Sequence, residues 1–326
     1  MLKHEIAEIV NSVDMYELAH KTVKGLALGD AETEAQKQLD QWAKYVGSTG
    51  HDPNREIAAF VERVVNDEIV QPPESILDYA FDRGMIGEFD AYEAYGAPKN
   101  TLIAYEAAPG GNVPRSFLDL SASEPKYVNL QVETDLDYAD LRRNGWKTVA
   151  RLTEYAVNAL RFKQIAAVMS GIDALITSGA DNYISETGAT PSAASANALA
   201  LYLLDRGSGH IVAASKYAQA ISKLQGFDSD SMMDEINRTG YLGWYDGNQL
   251  HAIPATMKTG DGTFVLPDKR VFGFAGKVGS LDMRGDVHVY ENMDNNNECL
   301  HLLVKDFSFV YVITNVENVA KIVMAQ

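Results

Sequence analysis

The residue types that most often carry chemistry are thinly spread along this chain. Its seven histidines are His4, His20, His51, His210, His251, His288 and His301. No two of them have the i, i+4 spacing of one helix face, and none forms an H-x-H or H-E-x-x-H pattern. The spacing therefore predicts neither a zinc site nor a nucleophile activated by histidine. We interpret these histidines as scattered surface or strand residues.

Other catalytic patterns are absent or weak. The sequence has no G-x-S-x-G elbow, no Walker A loop and no G-x-G-x-x-G after a strand pattern. Ser123 and Lys126 match S-x-x-K, but Pro125 and the strand pattern that follows argue against the helix which that motif needs. The acidic residues between positions 228 and 234 lack the glycine of an EF-hand loop and favour a helix start instead. The Arg284-Gly285-Asp286 motif is typical of a turn before a strand. We predict no catalytic, cofactor-binding or metal-binding residue.

Composition excludes several classes of protein. The chain has 326 residues, 28 Lys and Arg against 45 Asp and Glu, and a net charge of −17, so a basic nucleic-acid groove is not expected. Cys299 is the single cysteine, which excludes an intrachain disulfide and a Cys-rich zinc site and indicates a reducing compartment during folding. No apolar run approaches the length of a membrane span. We expect a soluble chain without a secretion signal.

The first 90 residues are predicted to be mostly helical. Pro53 fits the first turn of a helix that continues to Pro72-Pro73, where two missing N–H groups end it. A shorter helix over residues 74–83 is predicted to end at Gly84. These helices are short and have narrow apolar faces, so we expect them to lie against another surface.

The next segment has the pattern of an extended hairpin. Residues 127–133 alternate apolar and polar side chains, which predicts a half-buried strand, and residues 101–105 are its expected counterpart. Residues 107–114 between them (AAPGGNVP) are rich in turn formers. This connection is too long for a tight turn, so we expect it to project from the body of the protein.

A long helix is predicted over residues 146–177, with a length of roughly 45–50 Å. Its apolar stripe is Val149, Leu152, Ala156, Leu160, Ile165, Val168, Ile172 and Leu175 or Ile176. We expect this stripe to pack against strands predicted at residues 287–290 and 304–312.

Short strands and helices follow in the C-terminal half. An alanine-rich helix that Pro191 opens and that continues through residues 197–204 precedes a strand at 210–214. Ser215 is predicted to cap a helix at 216–224. Further strands are predicted at residues 247–253, 264–266, 271–275, 287–290, 300–305, 310–314 and 319–323.

The order of these patterns from about residue 101 to residue 323 resembles the major capsid proteins of tailed bacteriophages, which have the Hong Kong 97 fold. The likeness covers about two-thirds of the chain. It is carried by EAAPGGNVP at residues 106–114 (the start of the extended loop), KYVNLQVETDLDYADL at 126–141 (the strand leading into the spine helix), residues 209–224 (a buried strand and a capped helix), and VFGFAG at 271–276 and VKDFSFVYV at 304–312 (paired strands).

The resemblance implies an α+β fold of four parts. These are an N-terminal helical arm (1–90), an extended β-hairpin loop (91–140), a peripheral domain with the spine helix and an antiparallel sheet (141–205 and 268–312), and an α/β axial domain (206–267 and 313–326).

The resemblance also implies a function. The chain would be a structural, non-enzymatic subunit that assembles through pentamers and hexamers into an icosahedral shell enclosing double-stranded DNA. Its partners would be copies of itself and possible scaffold, portal and decoration proteins, with no cofactor and no membrane. It would be assembled in the host cytoplasm and located in the virion. The predicted contacts of the extended loop with a neighbouring subunit are Val113, Phe117, Leu118 and Leu120.

Two alternatives stay open at the level of sequence. An encapsulin-type compartment protein would have the same fold, although the long extended loop favours a viral capsid. A soluble hydrolase with a diffuse active site belongs to a different class, and a compact monomer at micromolar concentration would favour it.

Overall fold

The computed structural model describes most of the chain. The described residues are 6, 9, 11–49, 54–70, 75–88, 90, 92, 106, 124–207, 209–224, 230–294 and 298–325. The strand predicted at residues 101–105 and the projecting segment predicted at 107–114 lie outside these ranges. Glu106, between them, is described.

Eight helices and eleven strands form the described regular structure, together with short 3₁₀ helices at Ile76–Tyr79 and Val316–Asn318. The helices are α1 (Met15–Lys24), α2 (Asp30–Thr49), α3 (Asn54–Val70), α4 (Tyr138–Asn144), α5 (Trp146–Leu175), α6 (Ala193–Leu204), α7 (Ser215–Leu224) and α8 (Asp230–Thr239). The strands are β1 (Phe81–Ile86), β2 (Lys126–Asp137), β3 (Tyr183–Glu186), β4 (His210–Ala214), β5 (Trp244–Tyr245), β6 (Asn248–Ile253), β7 (Arg270–Phe274), β8 (Gly279–Arg284), β9 (His288–Asp294), β10 (Cys299–Ile313) and β11 (Val319–Met324).

The strands form two sheets. The first has the order β1-β8-β10-β2, with β9 paired antiparallel to β10. The second has the order β3-β11-β7-β4-β6-β5, in which β3–β11 and β4–β6 are parallel pairs. The chain divides into two compact units, and it passes from one to the other several times. Unit 1 is Met1–Glu74, Val128–Gln164 and Met283–Phe309; unit 2 is Ser75–Tyr127, Ile165–Asp282 and Val310–Gln326.

In unit 1 the N-terminal helices build the core around the start of α5. Trp42, Phe60 and Trp146 form a chain of aromatic contacts, with ring centroids 5.7 and 5.5 Å apart. Asp40 on α2 accepts a hydrogen bond of 3.2 Å from the backbone N–H of Trp146, the first residue of α5. A carboxylate at this position satisfies an N–H that has no partner within the helix and complements the positive end of the helix dipole.

Helix α3 lies along β9 through polar side chains. The Asn66 amide donates to the carbonyl of Val287 at 2.9 Å and accepts from its N–H at 2.8 Å. The Glu62 carboxylate accepts from the N–H of Val289 at 2.9 Å. Side chains of α3 thus satisfy backbone groups along this strand, as a neighbouring strand would. The sequence pattern predicted that the apolar stripe of α5 packs against this strand. The described hydrogen bonds show instead that α3 lies along it.

In unit 2, helices α6 and α7 cover one face of the second sheet. Their core cluster is Ala196, Leu199, Ala200, Leu203, Tyr217, Ala218 and Ile221, packed with Ile211, Leu250, Val271 and Ile322 from the strands. The opposite face carries Phe272 and Phe274, which are fully buried. Both faces of this sheet bury large apolar side chains, which explains why its central strands are nearly continuously hydrophobic in sequence.

The C-terminal half of α5 is held in unit 2 by a partly buried ion cluster and by a contact with β10. Lys321 of β11 donates to the Asp173 carboxylate at 2.6 Å and to the Asp173 carbonyl at 2.8 Å. Arg270 of β7 lies 3.3 Å from the same carboxylate oxygen. Gly171 lies against the Tyr311 ring on β10, which agrees with the predicted packing of α5 on residues 304–312.

Several predicted elements are confirmed. Strand β2 contains residues 127–133, α5 corresponds to residues 146–177, and β4, α7 and β11 match their predicted positions within two residues. Helix α2 lies within the mostly helical N-terminal region that was predicted, whereas strands β3 and β8 were not predicted.

The helix predicted at residues 74–83 is wrong. The structure has a single 3₁₀ turn at Ile76–Tyr79 followed by strand β1, and Gly84 lies inside this strand rather than at a helix end. Gly84 faces the Asp282 carboxylate of the adjacent strand β8.

Two strand predictions also change. The strands expected at residues 300–305 and 310–314 are one strand, β10, because the chain continues through Asp306 with a left-handed φ of 65°. The strand expected at residues 264–266 is reduced to one isolated bridge between Lys258 and Phe264.

Replacing Leu160 with Asp tests the burial of the α5 stripe. Leu160 is 1% exposed, so Leu160→Asp removes apolar burial and places a carboxylate in the core. We expect the free energy of unfolding to fall by roughly 3–5 kcal/mol. Tyr155→Asp is the matched control, since Tyr155 lies on the same helix and is 61% exposed. Urea denaturation followed by circular dichroism measures both, and equal losses would contradict the assigned burial.

Replacing Asp173 with Asn tests the ion cluster. Asp173→Asn leaves the buried Lys321 ammonium without its partly exposed carboxylate, and we expect a loss of roughly 1.5–3 kcal/mol. Glu34→Gln is the control: Glu34 pairs with Lys37 at 3.7 Å, both side chains are exposed, and the expected loss is below about 1 kcal/mol. Chemical denaturation at low and high salt checks both, and losses of similar size would show that solvent screens the Asp173 cluster.

Candidate assembly surface

The residues predicted to contact a neighbouring subunit are not among the described ones. Val113, Phe117, Leu118 and Leu120 all lie in the range 107–123, outside the described residues, so their role stays a prediction. The strand that follows this segment is described. Side chains along β2 alternate between exposed and half-buried for most of its length, and Tyr127 near its start is exposed. This pattern matches the half-buried strand predicted from the sequence.

Large apolar side chains are exposed at one end of unit 2. Leu201 and Leu204 on α6 are 60% and 44% exposed, and Trp244 on β5 is 53% exposed. The aliphatic face of α6 that points away from the sheet therefore carries two leucines rather than charged residues. Trp244 pairs with Gln249 and lies beside His210 on the other face of the sheet, so only the two leucines share a surface. Exposed apolar groups that lie together are typical of protein–protein contact surfaces.

Strands β5 and β6 form a tight hairpin next to helix α6. Strands β5 and β6 are joined by Asp246 and Gly247, with φ angles of 43° and 76°, the pattern of a two-residue type I′ turn. The Leu204 side chain lies against the hairpin at Gly247. The Tyr245 hydroxyl donates to Asn197 of α6 at 2.5 Å. Helix and hairpin are thus fixed to each other, which presents the exposed side chains on a rigid support.

The structure places two of the histidines together. Nδ1 of His210 lies 3.0 Å from Nε2 of His251, and the Tyr79 ring stacks on both imidazoles. The expectation of scattered histidines is therefore wrong for this pair, because adjacent strands bring together residues 41 positions apart. Elsewhere, His20 pairs with Glu154 at 2.8 Å, and His301 pairs with Asp135.

The weak sequence motifs lie in ordinary strands and turns of the structure. Lys126 begins β2, as the strand interpretation requires, and Arg284-Gly285-Asp286 turns between β8 and β9 with a φ of 69° at Gly285. Cys299 is buried at the start of β10. Across the described ranges, no group of three or more His, Cys, Asp or Glu side chains could hold a metal ion. None of the helices in these ranges combines the length and apolar character that crossing a membrane requires.

The most strongly perturbed carboxyl group is Glu186 at the end of β3. It accepts hydrogen bonds from the hydroxyls of Ser192 and Ser195 and from the N–H groups of Gly188 and Ser192. These hydrogen bonds, those from Ser192 and Ser195 first, lower the pKa of Glu186 to about 2. Ser192 also caps α6. The hydrogen bonds of this carboxylate therefore hold the loop 187–192 against the start of α6.

Sequence reasoning missed both of these clusters. The strands that carry His210 and His251 were predicted, but their parallel pairing was not. Glu186 lies six residues before the serine that caps α6, and a lone glutamate in a Gly/Thr/Ser loop gives no local signal of its role. The position of a serine at a helix start was the only available clue.

Replacing Glu186 with Gln tests the loop anchor by its pH dependence. The ordinary pKa of a Glu is about 4.5 and the folded value is about 2, so the ionised carboxylate stabilises the fold fully above pH 4.5 and progressively less as pH falls toward 2. We expect Glu186→Gln to be less stable than the parent chain at pH 7, with the difference shrinking at pH 3.

Urea denaturation at pH 7, 5 and 3 measures this difference. Glu34→Gln removes the same charge from an exposed position and reports the effect of net charge alone. A stability difference for Glu186→Gln that stays the same at pH 7 and pH 3 would contradict the anchoring role.

Comparison with known proteins finds similarity at the level of structure. No protein-family model and no curated protein matches the sequence. A structure described as Gordonia phage Cozz is 14% identical over 78% of this chain and 87% of its own, with a TM-score of 0.54. A chain of the satellite phage P4 procapsid including the size determination (Sid) protein is 9% identical over 90% of this chain and 98% of its own, with a TM-score of 0.52. A structure described as Mycobacterium phage Bobi is 11% identical over 84% and 98%, with a TM-score of 0.50. The chain therefore shares its mixed α and β fold with these phage structures, one of which is a procapsid.

Proposed function

We propose that this chain is a major capsid protein with the Hong Kong 97 fold. It self-assembles through pentamers and hexamers into an icosahedral shell that encloses double-stranded DNA, and it is a component of the virion. The observation that carries the proposal is the extent of the likeness to the P4 procapsid chain, which reaches 90% of this chain and 98% of that one. Similarity over nearly the whole length supports a shared architecture rather than one shared domain. The role is structural, not enzymatic.

The proposed parts of the subunit follow the sequence pattern. Residues 1–90 form the N-terminal helical arm and residues 91–140 the extended loop. The peripheral domain is formed by residues 141–205 and 268–312, and the axial domain by residues 206–267 and 313–326. The uninterrupted helix α5 of 30 residues supports the assignment of a spine helix.

The extended loop is the proposed main contact between subunits. Val113, Phe117, Leu118 and Leu120 would be buried against a neighbouring copy. Each contact is modest by itself, but a closed shell repeats it in every subunit, so the free energies of many contacts act together. The exposed Leu201 and Leu204 on α6 support a second contact, on the side of unit 2 that the helices cover.

The charge of the chain suits a wall that surrounds DNA without gripping it. With a net charge of −17, the subunit lacks the excess of Lys and Arg that phosphate binding needs. DNA could then move along the inner wall during filling and release. Scaffold, portal and decoration proteins are the further partners proposed for such a shell.

The alternative with the same fold is an encapsulin-type compartment. It differs in its contents: a compartment encloses a cargo enzyme, whereas a capsid encloses nucleic acid. Shells purified from cells and analysed for protein and DNA distinguish the two, and a stoichiometric cargo protein without DNA would favour the compartment.

Assembly state is the first test of the proposal. We expect the expressed chain to form pentamers, hexamers or closed shells, visible by negative-stain microscopy and by sedimentation. A species of 35.7 kDa at every protein and salt concentration, alone and when expressed with a scaffold protein, would contradict a capsid role. It would favour the soluble-hydrolase alternative.

Leu118→Asp separates association from folding. A carboxylate in the loop contact should block shell formation because it cannot be desolvated against an apolar neighbour. The circular dichroism melt should remain that of the parent chain, in contrast with Leu160→Asp. Leu118→Met keeps an apolar side chain of similar volume and should assemble. Normal shell yield with Leu118→Asp would remove this residue from the contact, and early melting would place the loop in the folded body.

A further inference from the structure

A stack of three rings joins the segment before β1 to the second sheet of unit 2. The Tyr79 ring centroid lies 4.3 Å from the ring centroids of both His210 and His251, at interplanar angles of 15° and 22°. The two imidazoles are also hydrogen-bonded to each other, at 3.0 Å between Nδ1 of His210 and Nε2 of His251. Tyr79 is the last residue of the 3₁₀ helix Ile76–Tyr79, so its stacking fixes that segment on the sheet.

Strand register explains how the two histidines meet. In the parallel pair β4–β6, His210 lies opposite Gln249 and Val212 lies opposite His251, so both imidazoles project from the same face. In the antiparallel pair β4–β7, His210 lies opposite Phe274, which places the stack beside the buried phenylalanines. Tyr79 therefore covers the edge of an apolar face.

The hydrogen bond between the imidazoles depends on protonation. One ring nitrogen must donate an N–H and the other must accept with a lone pair. When the accepting nitrogen binds a proton, two N–H groups face each other and the bond is lost. A second proton would place two positive charges on rings whose centroids are 5.2 Å apart.

Among the groups around the stack, the Gln249 side chain favours a protonated His210 through a hydrogen bond, but burial outweighs it and no unmatched carboxylate adds to it. Lys277, from the turn after β7, donates to the carbonyls of Asp78 and Phe81 at 2.6 and 2.9 Å. The Asp78 carboxylate is paired with Arg83, and Asp82 lies 3.6 Å from the Lys277 ammonium. Gln249 and Trp244, which line the same cleft as His210, are uncharged. The two nearby carboxylates are thus matched by two cations.

We propose that Tyr79, His210 and His251 form a proton-sensitive latch, which holds the 75–79 segment on the sheet in neutral solution and releases it in mildly acidic solution. The latch is a property of the single chain and does not rest on the proposed capsid function. The segment leads through β1 toward the residues proposed to form the extended loop, so its release would change how the base of that loop is held.

The pKa values of both imidazoles are lowered in the folded protein, which is the direction that the proposed latch requires. Burial lowers the pKa of His210 against the opposing effect of its hydrogen bond with Gln249, and the Lys277 charge lowers it further. Burial together with the His210 charge lowers the pKa of His251. A released histidine has an ordinary pKa of about 6.5. Between the two values the released state binds more protons than the latched state. The latch is therefore at full strength above about pH 6.5 and weakens as pH falls below it.

Hydrogen exchange on the full chain tests the latch. Peptides covering residues 75–86 are compared at pH 7.5 and pH 5.5, with rates corrected for the intrinsic pH dependence of exchange. We expect their protection to fall several-fold at pH 5.5, while peptides from the centre of α5 keep theirs. Unchanged protection of residues 75–86 would overturn the proposal.

A ring-preserving variant gives the matched comparison. The double variant His210→Phe/His251→Phe keeps three stacked rings but cannot bind protons, so its protection should no longer depend on pH. His288→Phe, at an exposed position on β9, should behave as the parent chain. A double variant with the same loss at pH 5.5 as the parent chain would contradict the latch.

The titration of the parent chain decides the question if the double variant fails to fold. The imidazole resonances of His210 and His251 are followed by NMR from pH 8 to pH 5, with His288 as the exposed reference. The latch requires both to titrate below His288 and to change together with the Tyr79 ring signals. Titration of either one at or above the reference would overturn it.

Discussion

Burial of the long helix α5 is the constraint on which the rest of the described structure depends. A helix of 30 residues gains little stability from its own hydrogen bonds in water and needs other elements to cover its sides. Val149, Leu160, Val168 and Ile172 are all almost fully buried, so cover is present along most of its length. Residues up to Gln164 belong to unit 1 and those from Ile165 to unit 2. The chain before α5 and the chain after it must therefore each supply an apolar surface, and the described helices α1, α2 and α3 contribute to the core for this reason.

Two partly buried ion clusters link α5 to these surfaces and set its position. In unit 1, Arg161 donates to the Glu68 carboxylate at 2.5 Å and to the Glu68 carbonyl at 2.8 Å. In unit 2, the Asp173 carboxylate forms ion pairs with Lys321 and with Arg270. Apolar contacts tolerate sliding by a fraction of a turn, whereas a buried charge is stable only opposite its partner. The desolvation of such pairs offsets much of their attraction, so their main effect is on register and less on total stability.

Local patterns could be predicted from the sequence, and pairings could not. The alternation in β2 and the apolar stripe of α5 are properties of neighbouring residues, and both elements were found close to their predicted bounds. Strands β1 and β8 have mixed composition, and what makes them strands is their position beside each other in the sheet. The same reason hides the His210–His251 contact, because parallel register between β4 and β6 has no signature in the spacing of two histidines. The extended-loop residues remain predicted from sequence alone.

The way in which the fold is specified also explains why its likeness to other structures is visible at 9–14% identity. What α5 requires is apolar volume at helical spacing, and cores accept many combinations of Leu, Ile, Val and Met when total volume is kept. The clusters that do require particular residues, such as Glu186 with Ser192 and Ser195, are local and hold single loops. A sequence can therefore change at nearly every position while the order of hairpin strand, long helix and two sheets persists. For such a chain the succession of elements is a better guide to fold than any motif of fixed residues.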